Sequence, residues 1–212
     1  MKVKQLSQIN AFGGINFVLN ELEKLNIGSF LSQNLPLLSP NSKYSWTDIF
    51  YSFSSIFYCG GNCIEDTKTV LSNQFSANPF FSLCSPDTIL RRFKSLATVE
   101  QLCYTPRGKV QHQFCVNDTL ASTNIKLLKK IGVFDFPETI LDYDNTIVFN
   151  EKADSKMTYK KNYGYQPGVC IINEENVLYI ENRNGNSDAK SFQVDTLNRM
   201  FYHIYQDQKT KK

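Results

Sequence analysis

Apolar residues follow two different spacings along this chain, and the change falls near Pro137. Before it the spacing is helical. Phe17, Val18, Leu19, Leu22 and Leu25 form one stripe after Gly13-Gly14, and Gly28 is expected just past the end of that helix. Thr47 to Tyr58 is aromatic and apolar nearly all round, the pattern of a buried helix, and Gly60-Gly61 closes it. Cys63 to Leu71 predicts a short helix with Glu65, Asp66 and Lys68 outside. Ser85-Pro86-Asp87-Thr88 is a helix start: Ser85 can cap, Pro86 suits the first helical position, and Asp87 complements the dipole. Ile89, Phe93 and Leu96 then share one side. Thr105 to Gln113, with Pro106 and Gly108, reads as a loop. A last helix in this half runs from Asn117 to Ile131, with Asn117 or Asp118 as cap and Gly132 as stop.

After Pro137 the period becomes two. Ile140 to Val148 predicts a strand, and Tyr165–Asn173 and Val177–Asn182 predict a hairpin about Asn173-Glu174-Glu175-Asn176. Asn184-Gly185-Asn186 is a turn. Ser187 is expected to cap a helix from Asp188 to Tyr205 whose Phe192, Leu197, Met200, Phe201 and Ile204 face the core. The expected class is α+β: an all-helical domain over residues 1–135, then a β-β-β-α domain over residues 136–212.

Composition narrows the function classes only a little. A chain of 212 residues with 42% hydrophobic and 20% charged residues can bury a sizeable core. The apolar stretch Ile49 to Tyr58 is too short to cross a bilayer, and no apolar run follows Met1-Lys2-Val3-Lys4, so a cytoplasmic protein without a membrane role is expected. Six cysteines and two histidines show no zinc-ligand spacing, and the cysteines are expected to be reduced. The net charge of +3 is small, but its distribution is uneven. Lys126, Lys129 and Lys130 precede the first strand, and Lys152, Lys156, Lys160 and Lys161 follow it. Basic clusters around an acidic centre suit a phosphodiester, although such runs also form ordinary solvated faces.

The acidic centre is Leu141-Asp142-Tyr143-Asp144-Asn145-Thr146. Strand alternation sends Asp142 and Asp144 to the same face, where burial of two carboxylates would need a cation or a reaction to offset its cost. Two chemistries fit a D-x-D-x-T strand. One is phosphoryl transfer through an aspartyl phosphate, as in the haloacid-dehalogenase superfamily, with Asp142 as nucleophile and Asp144 as acid/base. That fold continues with parallel strands, whereas a hairpin is expected here. The other is Mg²⁺-dependent cutting and joining of DNA on a ribonuclease-H-like sheet.

Several strings, in order, carry a resemblance to the second class. They are Ala11-Phe12-Gly13-Gly14, Gly60-Gly61-Asn62-Cys63-Ile64-Glu65-Asp66, Ser85-Pro86-Asp87-Thr88-Ile89-Leu90-Arg91-Arg92-Phe93, the Asp142–Asp144 string, Tyr163-Gly164-Tyr165-Gln166-Pro167 and Arg183-Asn184-Gly185-Asn186-Ser187. Together they resemble the N-terminal part of DDE transposases of bacterial insertion sequences, of the group numbered 1380 and its relatives.

The resemblance implies a ribonuclease-H-like catalytic domain and a site of two Mg²⁺ ions held by three acids. Asp144 is the first of these acids, and Asp142 assists it or lies just behind it. It implies that the other two acids come after the last helix, so the chain is expected to be truncated before them and inactive by itself. The implied partner is double-stranded DNA at transposon terminal repeats, bound on the bacterial nucleoid by a monomer or homodimer. Arg91, Arg92 and Lys94 are expected on the phosphate backbone through a helix-turn-helix-like cluster, with Lys160 and Lys161 near the scissile region. The plain alternative for the first three is a basic outer face on a core helix. A DNA-binding role without chemistry is the alternative function.

Overall fold

The structure, a computed structural model, describes residues 11–76, 78–97, 101–104, 111–115, 117–187, 190 and 192–206, with backbone alone for 101–104 and 111–115. Helices and small antiparallel sheets are both present, an α+β protein. The chain divides into two compact units, Met1–Ser95 and Leu96–Lys212.

The first unit is helical. Helix α1 (Ile15–Lys24) buries Ile15 and Leu19, and α2 (Ile27–Asn34) buries Ile27 and Leu31. The break between them is Asn26, at φ 53°. Gly28 therefore lies inside α2, beside Thr47, and does not terminate α1 as expected. Helix α3 (Trp46–Tyr58) starts with a reciprocal cap: the Asp48 amide donates to Ser45 Oγ (3.1 Å) and the Ser45 amide to Asp48 Oδ2 (2.8 Å). It ends at Gly60, whose φ of 78° lets the Gly61 amide reach the Ile56 carbonyl at 2.8 Å. Asp66 then accepts from the amides of Asn62 and Cys63 at 3.0 and 3.2 Å, which hold its carboxyl below the usual range. The Gly60–Asp66 string is thus a closed turn. A π-helical turn, Thr67–Leu71, runs into α4 (Ser72–Phe75). Helix α5 (Pro86–Ser95) begins at Ser85 as expected and packs on α3, with the Phe53 and Phe93 rings edge to face at 4.9 Å.

The second unit is a sheet with two helices. Strands β1 (Gln101–Tyr104) and β2 (Gln111–Cys115) form an antiparallel hairpin. This corrects the all-helical reading of residues 1–135, and residues 105–110 of the expected loop lie outside the described ones. Helix α6 (Asp118–Lys130) has Asn117 as its cap, donated to by the Leu120 amide at 3.0 Å, and Gly132 at φ 82° as its stop. Strand β3 (Leu141–Asn145) carries the two aspartates. Next come the short strands β4 (Val148–Phe149), β5 (Lys156–Met157) and β6 (Tyr163–Tyr165), a small antiparallel sheet of order β4-β6-β5. The expected second strand starts late, as β7 (Gly168–Ile172), and β8 (Asn176–Arg183) and α7 (Gln193–Gln206) follow. The larger sheet has the order β1-β2-β8-β7-β3, antiparallel throughout.

The core of this unit lies between β7, β8, α6 and α7: Ile125, Leu128, Cys170, Ile172, Leu178, Tyr179 and Met200 are all buried. Helix α6 belongs here, so the unit boundary stands at 95/96 and not at 135/136. Asn124 on α6 donates to the carbonyls of Val177 and Leu178 on β8 at 2.8 and 3.0 Å. The predicted cap segment Ser187–Asp188 is only partly described, and α7 begins at Gln193. Met200 is buried and Leu197 and Ile204 pack on the core, whereas Phe201 stays exposed.

Two substitutions test these supports separately. Ser45→Ala removes one half of the α3 cap and is expected to cost about 1 kcal/mol. Leu178→Ala leaves a cavity among β8, α6 and α7 and is expected to cost about 2–5 kcal/mol. Urea unfolding followed by circular dichroism reads both.

Candidate functional site

The strand with the two aspartates is not buried as expected. β3 ends the sheet order, so among the described residues only β7 pairs with it. Asp142 and Asp144 are exposed on one face, and Tyr143 on the other packs against the core. Tyr143 lies over Gly168 of β7, where any side chain would collide with its ring. The aspartates thus share a face, as alternation requires, but on an edge strand that keeps them in water.

Asp144 and Asn145 line an open cleft of about 590 Å³. Met157, Thr158 and Tyr159 line it from the hairpin between β5 and β6, and Gln166 from the segment between β6 and β7. Gly185, Asn186 and Ser187 line it from the turn after β8. Asp142 does not reach it.

The cleft is built by close backbone approach. Gln166 donates its amide to the Arg183 carbonyl at 2.9 Å, and Tyr165 bridges to Asn184. A Cβ on Gly185 would run into the carbonyl oxygens of Gly164 and Lys156, and one on Gly164 into that of Val148. Both glycines are required because backbones touch there. Tyr165 Oη donates to Asp154 at 2.6 Å, which pushes the phenol up to about 12 and holds Asp154 low.

Directly behind the turn lies a buried polar network that the sequence reading missed. Glu181 and Arg183 on β8 are 0% and 1% exposed. Arg199 on α7 grips the Glu181 carboxylate in bidentate fashion, at 2.9 and 2.7 Å. Thr196 donates to it at 2.8 Å, Tyr179 at 3.3 Å, and Arg183 Nε stands 3.6 Å away. Burial and the adjacent carboxylate push the Tyr179 phenol up. The only advance signal was Arg183 inside the R-N-G-N-S string.

The basic residues separate into two sets. In the first unit Arg91 and Lys94 are exposed on α5, while Arg92 is half-buried and donates to Ser42 Oγ. Arg91 and Arg92 line a shallow hollow with Lys43 and Ser42. In the second unit Lys160 and Lys161 are exposed on the β5–β6 turn, next to Tyr159 of the Asp144 cleft. The Lys160 ammonium stands 5.9 Å from the Tyr159 ring.

Among the described residues no three His, Cys, Asp or Glu side chains come together as a metal site. Nor is any helix among them long and apolar enough to cross a membrane. The chain matches no protein-family model, no curated protein and no solved structure.

Removing the Glu181 carboxylate would take the counter-charge from Arg183, which is fully buried, and from Arg199, whose side chain is 23% exposed. Glu181→Ala is expected to cost about 3–5 kcal/mol, measured by urea unfolding, because an uncompensated buried charge is left behind.

Proposed function

We propose that this chain is a DNA-handling module of the DDE transposase class, with a ribonuclease-H-like second unit in which Asp144 is the first acid of the strand-cutting centre. One observation carries the reading. Three strings by which the sequence resembles that class are separated by other strands in the chain, yet they line one cleft: Asp144-Asn145, Gln166, and Gly185-Asn186-Ser187. The antiparallel order β3–β7–β8 followed by a helix supports it too. The same antiparallel partner counts against a phosphatase of the dehalogenase kind, whose first strand needs parallel neighbours.

Mg²⁺ prefers carboxylate oxygens, and Asp142 and Asp144 are of that kind. Both come from one strand, and the described residues bring no third acid to them. They do not complete a two-ion site, so no catalytic step is derived from them. Duplex binding is the activity proposed for the residues described, and strand cleavage and joining belong to the class the chain resembles. The partner is double-stranded DNA at transposon ends, at the bacterial nucleoid. Arg91 and Lys94 project from α5 as exposed basic groups suited to phosphates, and Arg92 ties α5 to Ser42 and presents its charge beside Lys43. Lys160 and Lys161 supply charge beside the cleft.

The test is duplex DNA binding across a salt series. Arg91→Ala with Arg92→Ala should weaken binding and lower the slope of log affinity against log salt by about one for each phosphate no longer neutralised. An unchanged slope would reduce α5 to a core helix with a basic outer face. Asp144→Ala should leave duplex affinity nearly intact, and the chain with Mg²⁺ should leave supercoiled DNA uncut. Cutting by the chain that disappears in Asp144→Ala would show that the other acids lie within these residues.

A further inference from the structure

The hollow beside α5 is lined by charges of one sign. Lys43 and Arg91 line it as exposed side chains, Arg92 as a half-buried one, and Ser39 and Ser42 stand among them. One wall is the face of α5 that carries Arg91 and Arg92. The other is the loop between α2 and α3, tightened by a turn in which the Ser42 amide donates to the Ser39 carbonyl at 2.8 Å. Arg92 donates to Ser42 Oγ and ties the two walls together. Lys43 stands over the Tyr44 ring at 5.1 Å, which aligns its ammonium without neutralising it. Among the described residues none of Lys43, Arg91 and Arg92 is paired with a carboxylate. Asp48 has both oxygens engaged elsewhere, by the Ser45 and Ser82 amides at 2.8 and 2.7 Å. Asp87, one turn before Arg91, does not line the hollow either. Like charges around one small space repel one another, and their summed field favours an anion between them.

We infer that this hollow is a discrete seat for one phosphate group. The seat rests on the DNA-handling reading only for the source of that phosphate, a strand backbone. Arg91 offers a planar fork to two phosphate oxygens, and Lys43 a point charge to a third. Arg92 acts at one remove. It adds its charge from the wall and fixes Ser42, whose hydroxyl accepts from Arg92 and keeps its own hydrogen to donate. A carboxylate presents two oxygens in one plane, whereas phosphate presents four in a tetrahedron to walls on two sides. An open hollow of about 350 Å³ admits the group while leaving it attached to a chain. Lys43, which no sequence pattern singled out, thereby becomes a phosphate ligand.

Inorganic phosphate is titrated into the full chain by calorimetry, with acetate at the same ionic strength for comparison. A fluorescein-labelled duplex is titrated in parallel across a salt series. Phosphate is expected to bind about tenfold or more tighter than acetate. Lys43→Ala and Arg91→Ala, at exposed positions where substitution costs little stability, should each weaken phosphate by about fivefold or more. Lys68→Ala, exposed in the same unit and outside the lining of the hollow, should leave phosphate binding unchanged. For the duplex, Lys43→Ala should lower the slope of log affinity against log salt by about one. Unfolding midpoints in acetate equal to that of the parent chain exclude loss of folding as the cause. Should Lys43→Ala lower its midpoint, Lys43→Gln, which keeps most of the stem and removes the charge, decides. Phosphate binding that survives Lys43→Ala and Arg91→Ala, or acetate binding as tight as phosphate, overturns the seat, while duplex binding with its salt slope leaves the DNA-handling reading standing. Phosphate binding lost in both variants, with the duplex slope unchanged in Lys43→Ala, supports the seat and assigns it to free phosphate in place of DNA. No binding of phosphate or of duplex overturns both.

Discussion

The Glu181 carboxylate, enclosed between β8 and α7, is the constraint on which the second unit turns. It is wholly buried and surrounded by Arg199, Arg183, Thr196 and Tyr179. Its presence on the inner face depends on an irregularity of β8. Cys170 pairs with Tyr179 and Ile171 with Val177, so Leu178 is an extra residue in the ladder. The bulge reverses the alternation after it. Leu178 and Tyr179 both face inward, Ile180 turns out to water at 54% exposure, and Glu181 and Arg183 turn in. Apolar residues at those positions could stabilise the interface as well as an ion cluster does. The cluster differs in that only one register of β8 against α7 satisfies it. A shift of one residue would put Asn182 against Arg199 and send both charges of β8 outside. Register is therefore strongly specified at the point where β8 leads into the Gly185 turn.

That turn carries the consequence into the cleft. Gly185 lies against the backbone of Gly164 and Lys156, and the Arg183 carbonyl accepts from the Gln166 amide. The small sheet of β4, β5 and β6 is thereby fastened to the end of β8, and Thr158, Tyr159 and Gln166 keep their places opposite Asp144. Order imposed around Glu181 thus appears as preorganisation some residues away.

Local signals were legible where local chemistry decides. Asn117 and Gly132 bound α6, Ser85 and Pro86 open α5, and Gly60 closes α3, each as its capping chemistry predicts. The β3 strand and the β7–β8 hairpin followed from period two. What escaped was set by distant partners. Gly28 reads as a helix stop, but Asn26 makes the break and Gly28 gives α2 close approach to Thr47. Period two puts Leu178 and Ile180 on one face and leaves Glu181 outside, because a bulge has no marker here. The β1–β2 hairpin joins β8 through two residue pairs, a pairing no local pattern announces. At the site, Asp144, Gln166 and the Gly185 turn were each visible as fragments of a resemblance. Their meeting in one cleft was not, since it depends on the distant contact of Tyr165 and Gln166 with Asn184 and Arg183.

The exposure of Asp142 and Asp144 bears on what the carboxylates are for. Charges on an edge strand discourage pairing with other chains, and that structural purpose would account for acids on β3 without any ligand. It asks only for charge somewhere along the edge. It does not ask for a cleft at the end of the strand or for two glycines whose side-chain space is filled by backbone. Those features cost stability, and edge protection gives no reason for them. Under the DNA-handling proposal, a surface shaped to meet a ligand does. The carboxylate of Asp144 then has a second use. Left in water, and accepting only the Asn145 amide at 2.7 Å among the hydrogen bonds described, it can meet a cationic or hydrogen-bond-donating group at the rim.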